Sequence, residues 1–304
     1  MKPFRLLTLT AGAIALAAML TGCNHKDLAA PFGGTTQINL HYDWSRTTGD
    51  PNPSSVDLYL YPGQGGNPLL FNTPKEGGTL DIKPDSYTGF AYVPETGTLV
   101  IKDTGDKDGC LVTTGDADLP GPAPAEGERV AASPDRAWYG KTELAVPASK
   151  TPVDHTVYME DMFVTFIVNV NDIQSIELLS GTGVLTGLAG GFNPSKGVPT
   201  DEKVSVPFAF KPGDKENSVK ASFYAFGDYP DETSPNILGI YCTVPGSDVI
   251  TVVPIDVTDQ VHAQHGNKVI TININGLNLM TAIDWAHVTV DSWKDGDPQN
   301  LIMN

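Results

Sequence analysis

The chain has 304 residues, with 36 acidic against 19 basic side chains and a formal charge of −17. A surface of that sign repels nucleic acid and anionic membrane headgroups, which argues against recognition of either through a basic patch. With 31 Gly, 24 Pro, 18% charged and 40% hydrophobic residues, the composition favours short strands joined by turns around packed cores, and argues against disorder.

Residues 1–22 read as a bacterial export signal. Lys2 and Arg5 supply its charge, and Leu6 to Leu20 its apolar run. That run is too short to span a bilayer, which takes about 20 apolar residues. Leu20-Thr21-Gly22-Cys23 matches the lipobox of bacterial lipoproteins, in which small residues admit the peptidase and the cysteine thiol takes up diacylglycerol. Cys23 is therefore the expected lipidation site, and the outer membrane the expected partner through that lipid. The polar stretch Asn24-His25-Lys26-Asp27 resembles the surface-export signals of some bacterial lipoproteins, though these are usually more acidic; the cell surface is the expected location and the periplasmic face the alternative. Residues 23–35, with Pro31, Gly33 and Gly34, read as a tether.

Strand signals then follow in order. "TQINLHYDW" at 36–44 alternates with Ile38, Leu40, Tyr42 and Trp44 on one face, and "VDLYLYP" at 56–62 places Val56, Leu58 and Leu60 opposite Tyr59 and Tyr61. Further short strands are expected at 79–82, 87–93, 97–101 and 138–147, spaced as in a β-sandwich. The Pro-, Ala-, Gly- and acid-rich stretch 113–135 lacks apolar periodicity and reads as a long surface loop. Ala148 to Pro152 reads as a boundary, giving two units, 36–152 and 153–304. The second opens with one long strand, "HTVYMEDMFVTFIVNVN" at 155–171, and continues with strands within 175–181, 203–210, 221–227, 237–244, 249–255, 269–277 and 287–293. "DVTDQVHAQHGNK" at 256–268 is the one helix signal, with Val257 and Val261 on one face and Gly266 as its stop.

Catalytic and metal motifs do not form. Asp103, Asp106 and Asp108 resemble a calcium loop, but Gly115 stands where its closing Glu belongs. His262 and His265 have helical spacing without a third ligand. No nucleophile elbow, phosphate loop or dinucleotide fingerprint occurs. The chain is expected to be no enzyme and to need no cofactor or metal. Once Cys23 is lipidated, Cys110 and Cys242 are expected to remain separate thiols.

"SIELLSGTGVLTGLAGGFNPSKG", "VSVPFAF", "ASFYAFGDYPDETSPNILGIY", "HGNKVITININGL" and "VTVDSW" together resemble a group of Bacteroidales lipoproteins of unknown function. That group is similar to the fimbrillin-like proteins, of Mfa and Fim type, that build type V pili. The resemblance covers most of the mature chain and its motifs are structural. It implies an all-β fold of two tandem Greek-key, transthyretin-like β-sandwiches with one short helix. It further implies a surface adhesin, pilus subunit or pilus anchor whose partners are other fimbrial or surface proteins, joined by strand pairing. In pilin members an arginine-specific protease removes the lipidated segment with its first strand. Arg46 is placed for such processing and is equally explained as a turn residue; the intact, anchored chain is the expected form. The competing reading is a lipid-anchored glycan-binding module of a polysaccharide-uptake system, with Trp138 and Trp285 as sugar contacts.

Overall fold

The computed structural model describes residues 33–94, 98–231 and 233–283. The export signal, Cys23, most of the tether, Trp285, Trp293 and the strand expected at 287–293 lie outside the described residues.

Strands β1 (Thr36–Arg46), β2 (Val56–Pro62), β3 (Leu69–Thr73), β4 (Gly77–Ile82), β5 (Asp85–Pro94), β9 (Ala137–Val146) and β10 (Val153–Asp161) form one sheet in the order β3-β2-β5-β9-β10-β1-β4. Alternation buries Ile38, Leu40 and Tyr42 of β1 in the same core as Val56, Leu58 and Leu60 of β2, with Val93, Leu144, Val157 and Met159. Strands from both ends of the sheet thus share one core, so the sheet is folded over into two layers. The fold-over is the β9–β10 corner, where Tyr139 pairs with Glu160 and Trp138 with Asp161. Gly140 lies beside it. A Cβ there would stand 2.7 Å from both the Tyr158 carbonyl oxygen and Val157 Cγ1, so the layers meet this closely because the residue is glycine.

The opposite face is covered too. Tyr59, Tyr61, Phe90, Tyr92 and Tyr139 are buried beneath a second sheet of β6 (Leu99–Lys102), β7 (Leu111–Thr114), β13 (Gly191–Asn193) and β14 (Val198–Pro199), ordered β14-β13-β7-β6. Phe192 of β13 meets Tyr139 edge-on, with ring centroids 4.8 Å apart. Half of this covering sheet therefore comes from the later part of the chain.

A third core lies between two further sheets. One contains β11 (Val164–Asn171), β16 (Lys211–Pro212), β17 (Val219–Ala225) and β20 (Val269–Asn275) in the order β16-β17-β11-β20. The other contains β8 (Arg129–Val130), β12 (Leu179–Ala189), β15 (Lys203–Ala209), β18 (Ile237–Thr243) and β19 (Ile250–Asp256) in the order β19-β18-β12-β15-β8. Phe208 and Phe166 both stack on Phe223 in this core, with centroids 4.5 and 5.4 Å away. The helix α1 (Thr258–His262) packs on it through buried Val257 and Val261, and the turn after it ends at Gly266, φ +80°.

The chain is all-β and sandwich-like, as expected, but its parts divide differently. The boundary expected at 152/153 falls inside the seven-stranded sheet, because Val153 to Tyr158 pair in parallel with Ile38 to Asp43. The single long strand expected at 155–171 is two strands in different sheets. It breaks at Met162-Phe163, both buried, and neither a glycine nor a proline marks the break. The stretch 113–135 is a strap rather than a free loop. Val204 and Ser205 pair with Arg129 and Val130, Ala131 enters the third core, and Tyr241 Oη donates to the Pro122 carbonyl at 2.9 Å.

Candidate functional site at the first strand

β1 has strand neighbours on both sides. It runs antiparallel to β4, from Thr36↔Ile82 to His41↔Gly77, and parallel to β10. Its start is fixed where Thr36 Oγ1 donates to the Pro147 and Ser149 carbonyls at 2.5 and 3.0 Å. On the solvent face Asn39 Nδ2 donates to Asp154 Oδ1 at 2.8 Å. Tyr42 Oη lies 2.9 Å from Thr73 Oγ1 across the core, and burial pushes its pKa up to about 12. Trp44 Nε1 donates to the Lys75 carbonyl at 3.1 Å.

The strand ends in a bulge between Asp43 and Arg46. The Asp43 carboxyl is held below the usual range by hydrogen bonds from the Ser45 side chain and from the Ser45 amide, the latter at 2.8 Å. Arg46 Nη1 lies 3.2 Å from Glu160 Oε1, and its guanidinium sits 4.3 Å from the Tyr158 ring centroid. The side chain is still 55% exposed. Such an exposed ion pair contributes about 0–1 kcal/mol, and an exposed cation–π contact about 0.5–1 kcal/mol. Beyond it Thr47 N donates to the Trp44 carbonyl at 3.1 Å, Thr48 N to Asp161 Oδ2 at 2.8 Å, and Arg136 Nη2 to the Thr48 carbonyl at 2.6 Å. The Arg46–Thr47 bond thus lies at the junction of strand and turn, with weakly held side chains around it. Removal of residues up to Arg46 would leave a groove between β10 and β4, exposing Leu80, Ile82, Val157 and Met159 and two rows of backbone groups.

Trp138 is not the exposed sugar contact that the competing glycan-binding reading requires. It lies on the inward face of β9, is 3% exposed, and meets Trp44 edge-on with centroids 6.3 Å apart. The Asp103–Asp108 segment is a turn, closed where Asp106 N donates to the Asp103 carbonyl and Asp108 N to Asp106 Oδ1, both at 3.0 Å. His265 Nδ1 is 2.6 Å from Asp228 Oδ2, and no trio of His, Cys, Asp or Glu placed to hold a metal occurs among the described residues. Cys110 and Cys242 are free thiols in different cores, and burial pushes their pKa values up to about 11 and about 12. Such thiols are unreactive.

The residues that sequence reasoning missed are Tyr158 and Glu160. They lie on a parallel neighbour more than a hundred residues downstream, and no local pattern announces a parallel pairing.

A folded-over first sheet, a covering sheet and a second sandwich make up the fold. It is shared with a provisionally assigned adhesin from Bacteroides ovatus ATCC 8483, at TM-score 0.64 and 21% identity, covering 84% of this chain and 98% of that one. It is also shared with the fimbrial anchor protein Mfa2 from Porphyromonas gingivalis, at TM-score 0.51 and 12% identity, covering 79% and 89%. No curated protein matches the sequence. Residues 22–209 match the family described as Domain of unknown function (DUF5119), and the chain belongs to that family.

Proposed function

We propose that the protein is a lipid-anchored surface component of an adhesive or fimbrial assembly, which keeps its first strand and acts as a fixed anchor. The observation that carries this reading is the position of β1. The strand that completes the first sheet begins at Thr36, a short way along the same chain from the lipobox cysteine Cys23. Fully extended, the intervening segment reaches at most about 45 Å, so lipid and sheet stay close. Supporting it is the fold shared with a fimbrial anchor protein and with a provisionally assigned adhesin. Partners are other fimbrial or surface proteins, which join by adding strands at sheet edges. The glycan-binding reading rested on Trp138, which is buried, and Trp285, which lies outside the described residues; no observation favours it.

The anchoring half of the proposal is tested by Cys23→Ala. In cells given labelled fatty acid, the parent protein is expected to carry label and to sediment with membranes. The variant is expected to carry none and to retain its export signal. Equal labelling of the two would rule Cys23 out as the lipid site.

A further inference from the structure

Sheet edges carry unpaired backbone N–H and C=O groups, and proteins blunt them with charge, proline or brevity. Most edge strands here follow that rule. β8, β14 and β16 have two residues each and contain Arg129, Pro199 and Lys211-Pro212 respectively, β19 carries Pro254, β6 carries Lys102 and β4 carries Asp81 with two glycines. β3 has five uncharged residues. Among the described residues β20 is the longest unblunted edge: Val269-Ile-Thr-Ile-Asn-Ile-Asn275, seven residues with no charge and no proline. The neighbouring Lys268 is directed away, donating to the Asp161 carbonyl at 2.9 Å.

β20 is also a good template for a further strand. It pairs in parallel register with β11, and the two segments repeat one pattern, Val168-Asn-Val-Asn-Asp-Ile-Gln174 against Ile272-Asn-Ile-Asn-Gly-Leu-Asn278. Asn169 Nδ2 donates to Asn273 Oδ1 at 3.0 Å, Asn171 Nδ2 to Asn275 Oδ1 at 3.1 Å, and Asn278 Nδ2 to Gln174 Oε1 at 2.7 Å. Both segments then turn through positive φ, at Asp172 (55°) and Gly276 (74°). Amide ladders of this kind strengthen stacked, uncharged strands.

The outer edge of β20 is occupied by two side chains. Gln260 of α1 accepts from the Asn273 amide at 2.8 Å and donates to the Asn273 carbonyl at 3.2 Å. Gln264, in the turn that follows, accepts from the Thr271 amide and donates to the Thr271 carbonyl, both at 2.9 Å, and its Nε2 also donates to the Gln260 carbonyl at 2.7 Å. Residues four apart on a helical turn rise about 6 Å, close to the rise of about 6.6 Å between alternate strand residues. Each primary amide therefore presents its C=O and N–H where a neighbouring strand would present a peptide.

We propose that Gln260 and Gln264 are a stopper that closes the β20 edge to strand addition by a second copy of this chain. The occupant follows from the strand itself. An uncharged segment of alternating Ile and amide or hydroxyl residues pairs with its own copy without like-charge opposition, in a self-complementary interface about a two-fold axis. The inference does not depend on how the amino terminus is processed.

The test uses the mature chain from residue 24 and its Gln260→Met/Gln264→Met variant, which keeps side-chain length and removes both amides. Sedimentation equilibrium over a range of concentrations reads the mass, and amide deuterium exchange reads Thr271 and Asn273. The parent is expected to be monomeric with both amides protected. In the dilute variant both amides are expected to exchange about tenfold faster, the scale of one lost hydrogen bond. As concentration rises, the variant's mass should double and its protection return. A folded variant with fast-exchanging Thr271 and Asn273 that stays monomeric throughout would overturn the proposal, as would a parent already dimeric through β20. Should the double variant fail to fold, Gln264→Met opens the Thr271 end alone and is read by the same two measurements.

Discussion

A chain beginning at Thr47 is expected to have no stable monomeric state. Loss of β1 takes Ile38, Leu40 and Tyr42 out of the first core. Burial of Ile38 and of Leu40 contributes about 1.5–3 kcal/mol each, a large share of a whole-protein stability of about 5–15 kcal/mol. The loss does not stop there, because β1 is an interior strand. Both the β4 edge and the β10 edge lose their hydrogen-bond partners at once, along registers that run from Thr36 to Arg46. The shortened chain should therefore self-associate or melt at a much lower temperature. An excess of peptide Thr36–Arg46 should restore a monomer with the parent's melting midpoint, since the groove is shaped by residues that remain. A Thr47–Asn304 chain that is monomeric and as stable as the parent would show that β1 is dispensable.

Separating the chain between Phe163 and Val164 is expected to give two fragments, neither of which folds alone. The first lacks β13 and β14, so Phe192, Ala189 and Phe226 no longer cover Tyr59, Phe90 and Tyr139, and β7 has no strand beyond it. The second lacks β8 and Ala131, which leaves Val204 and Ser205 unpaired on their outer side. Co-expression should recover a one-to-one complex, and the intact chain should unfold in one cooperative step. Two independent transitions at different temperatures would show instead that the exchanged strands add little.

These expectations also mark how far the sequence could be read. Alternation disclosed β1 and β2, but not that the tyrosines opposite Leu58 and Leu60 are buried too, on the sheet's other face. β3 was missed because its exposed Leu70 breaks the alternation, and β7 because its Thr113 and Thr114 are buried without being apolar. The partition failed at Met162-Phe163, a bend made by two buried apolar residues with no glycine or proline. The strap at 113–135 failed for a related reason: short pieces such as Arg129-Val130 are held by partners far along the chain, so their own composition says little. At the candidate site, the first strand leading to Arg46 was legible from local alternation, while Arg46 as a processing site followed from the resemblance alone. Glu160 and Tyr158 were not legible, nor were Gln260 and Gln264, whose spacing acquires meaning only once β20 lies beside them.

The central claim is that lipid, tether and first strand remain one piece. It is tested most directly by recovering the protein from cells and determining its amino terminus by mass spectrometry. The account predicts a blocked, acylated Cys23 as the dominant start, with Thr36 to Arg46 present. A dominant free amino terminus at Thr47 would contradict it and show a released, polymerising subunit.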